Sequence, residues 1–423
     1  MALLGTSATQ AEELAAGGGH WQADAGGLYY GESDGRVQTA EAVVDLRRSD
    51  ADGAALNFKL VADALTGGSP NGALPSRSVQ TFATPSGHSL SATPGGGGEG
   101  EHKMVYSVAA GQLPMDTSFH DFRLALSGNR EGNIADLGRL AYGAAVSREL
   151  DFQSASVNAA LAHDLNDKNT TLSLGVNLEA DGIMPIGGAP MGRSDYAQFQ
   201  KSGNKNKHVA DVLVGVAQVM NRRWLTLANY SVDAASGYQN DPYKIVSVLN
   251  GDGSIAQDGA GNPYYVYENR PSKRTRRAWY WENKIDLDPD VLQWSLRWMS
   301  DDWGVRSQTF DAHYRWTLGS GYLEPHYRRY HQSATDFFRF YLPATEAVPE
   351  FLSADPRLAE FDATTWGLKW GHRYGRDGEF NVRIEQYTQT GNGPAAVPAQ
   401  LQGLDVYPGL KAWLLQGGLR LVF

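Results

Sequence analysis

The last fifteen residues, GLKAWLLQGGLRLVF, constrain the fold most. Trp413, Leu415, Leu419, Leu421 and the terminal Phe423 fall on one parity, while Gln416 and Arg420 fall on the other. Successive side chains of a strand point to opposite faces, so this segment has an apolar side and a polar, charged side. That pattern fits a strand with lipid outside and water inside.

The rest of the chain is compatible with that reading. It has 48 glycines, no cysteine and 20% charged residues, with a mean hydropathy of −0.41, as expected of β-structure joined by glycine-rich turns. Without cysteine there is no disulfide framework, thiolate metal site or lipid anchor on cysteine. The longest nearly apolar run, Val212 to Met220, is far short of the roughly 20 residues of a membrane helix. A membrane location therefore requires a barrel. The net charge of −10, with no basic stripe to offset it, argues against a nucleic-acid partner. At the amino terminus, residues 1–11 read as the remnant of a signal peptide, with a small-residue pair at Thr9 and Ala11. Residues 12–423 read as one barrel domain.

Walking back from Phe423, segments of alternating parity separated by turn residues predict an all-β, antiparallel transmembrane barrel of about sixteen strands. Their cores are 24–33, 36–48, 54–65, 117–128, 138–149, 154–165, 169–182, 207–220, 223–235, 275–287, 291–301, 306–318, 321–333, 364–374, 379–390 and 410–423. With both termini in the periplasm, the periplasmic connections are fairly short and most carry Asp, Asn, Gly or Pro. The long ones, near 66–116, 183–206, 236–274, 334–363 and 391–409, all fall outside the cell, the asymmetry of outer-membrane barrels. A soluble β-sandwich would alternate too, but with its polar face outward. Asn283, Arg329, His372 and Lys411 land on the lipid parity, which requires an interface or a bulge. Pro325 removes a ladder donor and predicts a local irregularity.

The inward parity gathers Asp45, Asp63, Asp121, Arg123, Glu179, Asp211, Glu282, Lys284, Arg297, Asp311, His313, Arg315, Glu324, His326, Arg328, Lys369, Arg373, Arg383, Glu385 and Arg420, together with Glu41, Arg47 and Lys59. Acids predominate on early strands and bases on late ones. Pairing between neighbours would make transverse salt-bridge ladders; charges facing each other across water would make a transverse field. A ring of sixteen strands leaves an aqueous channel unless something fills it. The favoured function is a porin-like channel for small polar or ionic solutes, and the alternative is a scaffold whose lumen is plugged. Loop 66–116, about fifty residues long, is a candidate constriction. Its glycine-rich run from Pro94 to His102 also reads as an exposed tip. At the external rim, Lys273, Arg274, Arg276 and Arg277 form a basic cluster suited to lipopolysaccharide phosphates or anionic solutes, or to balancing nearby acids.

Chemistry beyond passage finds little support. His313 and His326 stand beside Asp311 and Glu324, a grouping of the kind used in general-base or metal sites, but histidines in a polar lumen are more often simply hydrogen-bonded. His331 and Ser333 share the outward parity without an evident acidic third member. The segment GDGSIAQDGAGN, from Gly251 to Asn262, lacks the spacing of an EF-hand and reads as a turn-rich loop. The sequence predicts no enzyme, cofactor or metal.

Several stretches resemble one family: GLYYGESDGR from Gly27, LTGGSPNGALPS and QTFATPSG between Leu65 and Gly87, ELDFQSASVNAALAHDLNDKNTTLSLG from Glu149, VGVAQVMNRR from Val214, ENRPSKRTRRAWYW from Glu268 and, most strongly, PHYRRYHQSATDFFRFYL from Pro325. They are similar to bacterial proteins grouped as domain of unknown function 3570. The resemblance implies a Gram-negative outer-membrane barrel and supplies no catalytic residues to carry over. Family members tend to be encoded near flavin-transferase and thioredoxin-like proteins, which implies an envelope partner of redox character. The terminal Leu419, Leu421 and Phe423 likewise resemble the signal read by the barrel assembly machinery. Ser69-Pro70-Asn71-Gly72 and Arg270-Pro271-Ser272-Lys273, both in long loops, are placed to fold over the mouth as a lid or plug.

Overall fold

The computed structural model describes residues 19–51, 53–84, 105–198, 200–375, 377–407 and 409–423. Signal-remnant residues 1–11 and the glycine run from Pro94 to His102 lie outside them. Sixteen strands form one closed ring in which every strand pairs with its sequence neighbours and the last pairs with the first. They are β1 (His20–Glu32), β2 (Gln38–Ser49), β3 (Ala55–Thr66), β4 (His120–Ile134), β5 (Gly138–Arg148), β6 (Phe152–Leu165), β7 (Thr170–Ile183) and β8 (Lys205–Asn221). The second half comprises β9 (Trp224–Gly237), β10 (Lys273–Asp286), β11 (Val291–Asp301), β12 (Arg306–Leu318), β13 (Gly321–Gln332), β14 (Phe361–Tyr374), β15 (Gly378–Gly391) and β16 (Leu410–Val422). All pairings in the ring are antiparallel. Closure satisfies every edge, which a lipid environment demands. The seam is paired to the chain's end, with Trp21 and Phe423 exchanging backbone hydrogen bonds of 2.8 and 2.9 Å.

All sixteen expected segments are strands of the ring, with shifted ends. The largest difference is β4, which runs to Ile134 rather than stopping at 128. Polar residues there suggested a turn, yet the ladder continues through Asn133 opposite Arg139, because backbone pairing beyond the apolar belt needs no apolar side chains. At Pro325 the pairing with β12 lapses, between His313↔His326 and Trp316↔Leu323, while the pairing with β14 is unbroken. A missing N–H accounts for that one-sided gap.

The outer face is apolar and uncovered: Leu172, Leu174, Val176, Leu178, Trp298, Trp316, Trp366, Ile384, Trp413 and Leu415 are all exposed. Such a belt is stable only against lipid. The polar residues on this parity have local explanations. Asn283 is 1% exposed and accepts a 2.8 Å hydrogen bond from the Trp224 indole. His372 stacks on Trp370, and Lys411 and Arg329 lie toward the external ends of β16 and β13.

The long connections build a second structure. Within them, Ile245–Leu249 pairs antiparallel with Tyr265–Tyr267 and parallel with Leu342–Pro343, and Gln80–Ala83 pairs with Val105–Val108. Five loops contribute to its core. Val246, Val266, Leu342 and Leu352 pack in one cluster; Ala73, Phe82, Ile245 and Tyr265, with Tyr196 against them, in a second; Leu74, Leu249 and Leu401 in a third. The roots of the loops carrying Tyr196 (β7 to β8) and Leu401 (β15 to β16) are eight strands apart in the ring of sixteen. A core drawing on both, through the sheet of the β9–β10 loop, spans the mouth as a cap.

Candidate functional site

Period-2 geometry puts the candidate lumen residues on one face, and strand register decides which of them meet. Arg420 Nε lies 2.7 Å from Asp24, Arg123 Nε 2.7 Å from Asp63, and Arg276 Nη2 2.8 Å from Asp233. Arg315 Nε sits 2.8 Å from Glu324 and Arg328 Nε 2.5 Å from Asp311. Arg383 lies 3.6 Å from Glu385 on its own strand, and Lys369 3.9 Å from Glu379 on the next. These charges therefore pair with neighbours, and the late-strand bases Arg315, Arg328, Lys369, Arg383 and Arg420 are matched by nearby acids rather than left to face the early acids across the lumen.

Other candidates hold neutral partners. Asp45 accepts from the Asn57 amide, Asp211 from Asn177 at 3.0 Å, Glu282 from the Tyr280 hydroxyl, and Asp121 from the Leu150 backbone N–H at 3.1 Å. Glu179, Lys284, Arg297 and Arg373 make no ion pair within 4.0 Å among the described residues. Sequence reading overlooked Asp24, Asp164, Asp181, Asp233, Asp301, Arg139, Lys207 and Glu379, although all share the inward parity and all are paired. The signal was present: each lies on an adjacent strand, within reach of an inward residue of opposite charge.

The rim cluster is divided by the strand's own alternation. Arg274 and Arg276 turn inward onto Asp301 and Asp233 at 2.5 and 2.8 Å, whereas Lys273 and Arg277 lie exposed on the opposite face. It is not one patch of four charges. Leu419, Leu421 and Phe423 are exposed on the outer face of β16. The Ser333 hydroxyl donates to Gly304 O and accepts from Arg306 N, while His331 Nδ1 lies 3.3 Å from Asp362. Asp252 and Asp258 each cap their own turns, through Ser254 and through Ala260 and Asn262.

The cap holds a buried ionic network assembled from loop motifs. Lys244, 3% exposed, donates to Ser69 Oγ at 2.7 Å and Pro70 O at 2.6 Å, and Ile245 N donates to Asn71 O at 2.9 Å. At Gly72 (φ +94°) an added Cβ would lie 2.3 Å from Ile245 O, so only glycine fits. Arg270 bridges Glu268 at 2.8 Å and Asp355 at 2.7 Å. Ser353 Oγ donates to Glu268 at 2.5 Å, and Arg357 caps Asp355 and reaches Asp241. Burial pushes the Glu268 carboxyl up to about 7 despite Arg270 beside it. Burial also opposes ionisation of Asp355, but Arg357, Lys244 and Arg270 outweigh it and hold that carboxyl well below the usual range. Tyr243 fastens the network to the wall by donating to Asp151 in the β5–β6 turn. A cavity of about 150 Å³ between Phe82, Tyr106, Tyr196, Tyr243 and Lys244 is smaller than an ordinary ligand pocket of roughly 300 Å³.

A closed sixteen-stranded barrel, apolar outside and ion-paired inside, with long loops gathered at one end, defines a bacterial outer-membrane β-barrel protein. Within that class, residues 1–421 match the family described as "Protein of unknown function (DUF3570)", and the chain belongs to it. No curated protein matches the sequence. Among solved structures, OccK2 (OpdF) of Pseudomonas aeruginosa, crystallised with glucuronate, shares 11% identity over 96% of this chain and 98% of its own, with a TM-score of 0.41. The outer-membrane protein OpdK of the same organism shares 10% over 96% and 99%, at 0.31, and CdiB of Acinetobacter baumannii 7% over 95% and 60%, at 0.39. Likeness at that level adds nothing to what the strand ladder establishes by itself.

Proposed function

We propose that the protein is a channel for small polar or ionic solutes, with a mixed-charge lumen and an external entrance set by its own loop cap. The observation that carries this is the wetness of the inner wall. Inward side chains of Arg123, Arg328 and Arg420 keep 37, 43 and 47% exposure although they lie within the ring, so the lumen has room for water beside its charges. Lys284, Arg297 and Arg373, without ionic partners among the described residues, add positive sites along the same wall. At the rim, Lys273 and Arg277 are placed to meet lipopolysaccharide phosphates.

The cap favours a second reading, a plugged scaffold for an envelope partner, because its five loops share one core. Reversal potential across a salt gradient in planar bilayers separates the two. The channel reading predicts a measurable current whose selectivity shifts toward cations in Arg297→Gln and Arg328→Gln. A correctly folded barrel that conducts neither as it stands nor with its cap loosened rules the channel out and leaves the scaffold.

A further inference from the structure

On the inner wall, β12, β13 and β15 bring together two histidines and three carboxylates. His313 and His326 are register partners, with rings stacked 4.1 Å apart and 3° from parallel. Both aim Nε2 at one carboxylate: Asp311 Oδ1 is 2.9 Å from His313, and Asp311 Oδ2 is 3.1 Å from His326. Both aim Nδ1 at another: Glu385 is 2.8 Å from His326, and Glu324 is 3.7 Å from His313. Arg328 also touches Asp311 at 2.5 Å, Arg315 touches Glu324 at 2.8 Å, and Arg383 approaches Glu385 at 3.6 Å.

A neutral imidazole has one N–H and one lone pair, yet His326 has a carboxylate oxygen in hydrogen-bond range of both nitrogens. Nδ1 of His326 faces Glu385 and Nε2 faces Asp311, so the ring stands between two negative charges. One divalent ion beside Asp311 could take both imidazoles and the carboxylate once the two rings tilt out of their parallel stack toward it. The ligand atoms of Asp311, His313 and His326 lie within 4.8 Å of one another. With ligand bonds of about 2.0–2.1 Å, tetrahedral edges are about 3.3 Å; the N···O separations, 2.9 Å to Oδ1 and 3.1 Å to Oδ2, are close to that, and ring rotation at His313 and His326 has to supply the rest. Glu385, 2.8 Å from His326 Nδ1, occupies the outer position that orients a metal-binding imidazole through its other ring nitrogen.

We propose that Asp311, His313 and His326 form a binding site for a divalent transition ion of the zinc or copper class, open to the lumen on its remaining side. Two imidazoles and one carboxylate suit such ions and not calcium or magnesium. Arg328 competes for Asp311, but its side chain is 43% exposed and free to turn into the lumen. The site does not depend on whether the barrel conducts.

Titration of the detergent-solubilised full chain with Zn²⁺, and Cu²⁺ electron paramagnetic resonance, test it. One ion per barrel is expected, with a Cu²⁺ spectrum showing two imidazole nitrogens. His313→Gln with His326→Gln should abolish that stoichiometric binding, and Glu385→Gln should weaken it about 10–100-fold. Arg328→Gln leaves all ligands in place and should tighten binding by removing a competing cation. Folding of each variant is read from heat-modifiable gel mobility. Absence of stoichiometric binding to the folded protein, or binding unchanged in the folded double-histidine variant, overturns the proposal, as does Arg328→Gln leaving the affinity where it was.

Discussion

The wall and the cap solve opposite problems with the same chain. In the wall, leucines and tryptophans face outward uncovered while charges face in and stay partly wet; Leu174 is 48% exposed and the Arg328 side chain 43%. In the cap the arrangement is that of a soluble protein, with Leu352 and Val266 fully buried and the Glu268, Arg270 and Asp355 network enclosed beside them. Ion pairs therefore mean different things in the two regions. Those of the wall with both partners partly exposed, such as Arg420 with Asp24, are screened by lumen water and contribute little each. Those of the cap are desolvated, so losing one partner strands a charge.

That contrast predicts its largest effect at Arg270. Arg270→Ala leaves Glu268 and Asp355 buried without their bridge and should destabilise the cap by about 3–5 kcal/mol; Arg420→Ala in the wall, where both partners are partly exposed, should cost roughly 0–1 kcal/mol. Hydrogen exchange, resolved by region, reads both, and equal effects would dissolve the distinction. Next come the apolar faces. Leu352→Ala should cost the cap about 2–5 kcal/mol as a cavity, whereas Leu174→Arg, on the lipid side, should cost the barrel roughly 2–4 kcal/mol. Urea unfolding in vesicles, beside limited proteolysis of the loops, assigns each loss to its region.

The cap should show a pH effect of its own. Because burial raises the Glu268 carboxyl to about 7, the folded cap holds a proton that the open form releases near its ordinary value of 4.5. Cap stability should then fall as pH rises from about 4.5 to about 7. The depressed Asp355 acts oppositely: its stabilisation is present above 3.8 and is lost as pH falls below that. Proteolytic opening should increase between pH 5 and pH 8 and lose that dependence in Glu268→Gln. Tyr243→Phe, which removes one hydrogen bond between cap and wall, should loosen loop exchange by roughly 0.5–1.5 kcal/mol.

The two regions also differ in how openly the sequence displays them. A barrel strand carries its face assignment in its own period, so Leu172, Leu174, Val176 and Leu178 announce the lipid side without reference to any neighbour. A cap core does not: Phe82, Tyr196, Val246, Leu352 and Leu401 come from five separate loops, and no local pattern connects them. Ser69 to Gly72 and Arg270 stood out as polar motifs, but their meeting through Lys244 and Asp355 follows only from the fold. On the wall, His313 and His326 were visible as a pair with Asp311, while Glu385 joined them only when β15 came into register beside β14.

Single-channel conductance of the native protein and of Arg270→Ala in planar bilayers tests the central claim, that a wide charged lumen is restricted by a cap with its own core. The account predicts small or rare openings in the native protein, and larger, longer ones when the cap is loosened while the barrel stays folded. A native conductance already that of a wide-open pore and unchanged by Arg270→Ala, or silence in both proteins, would contradict it.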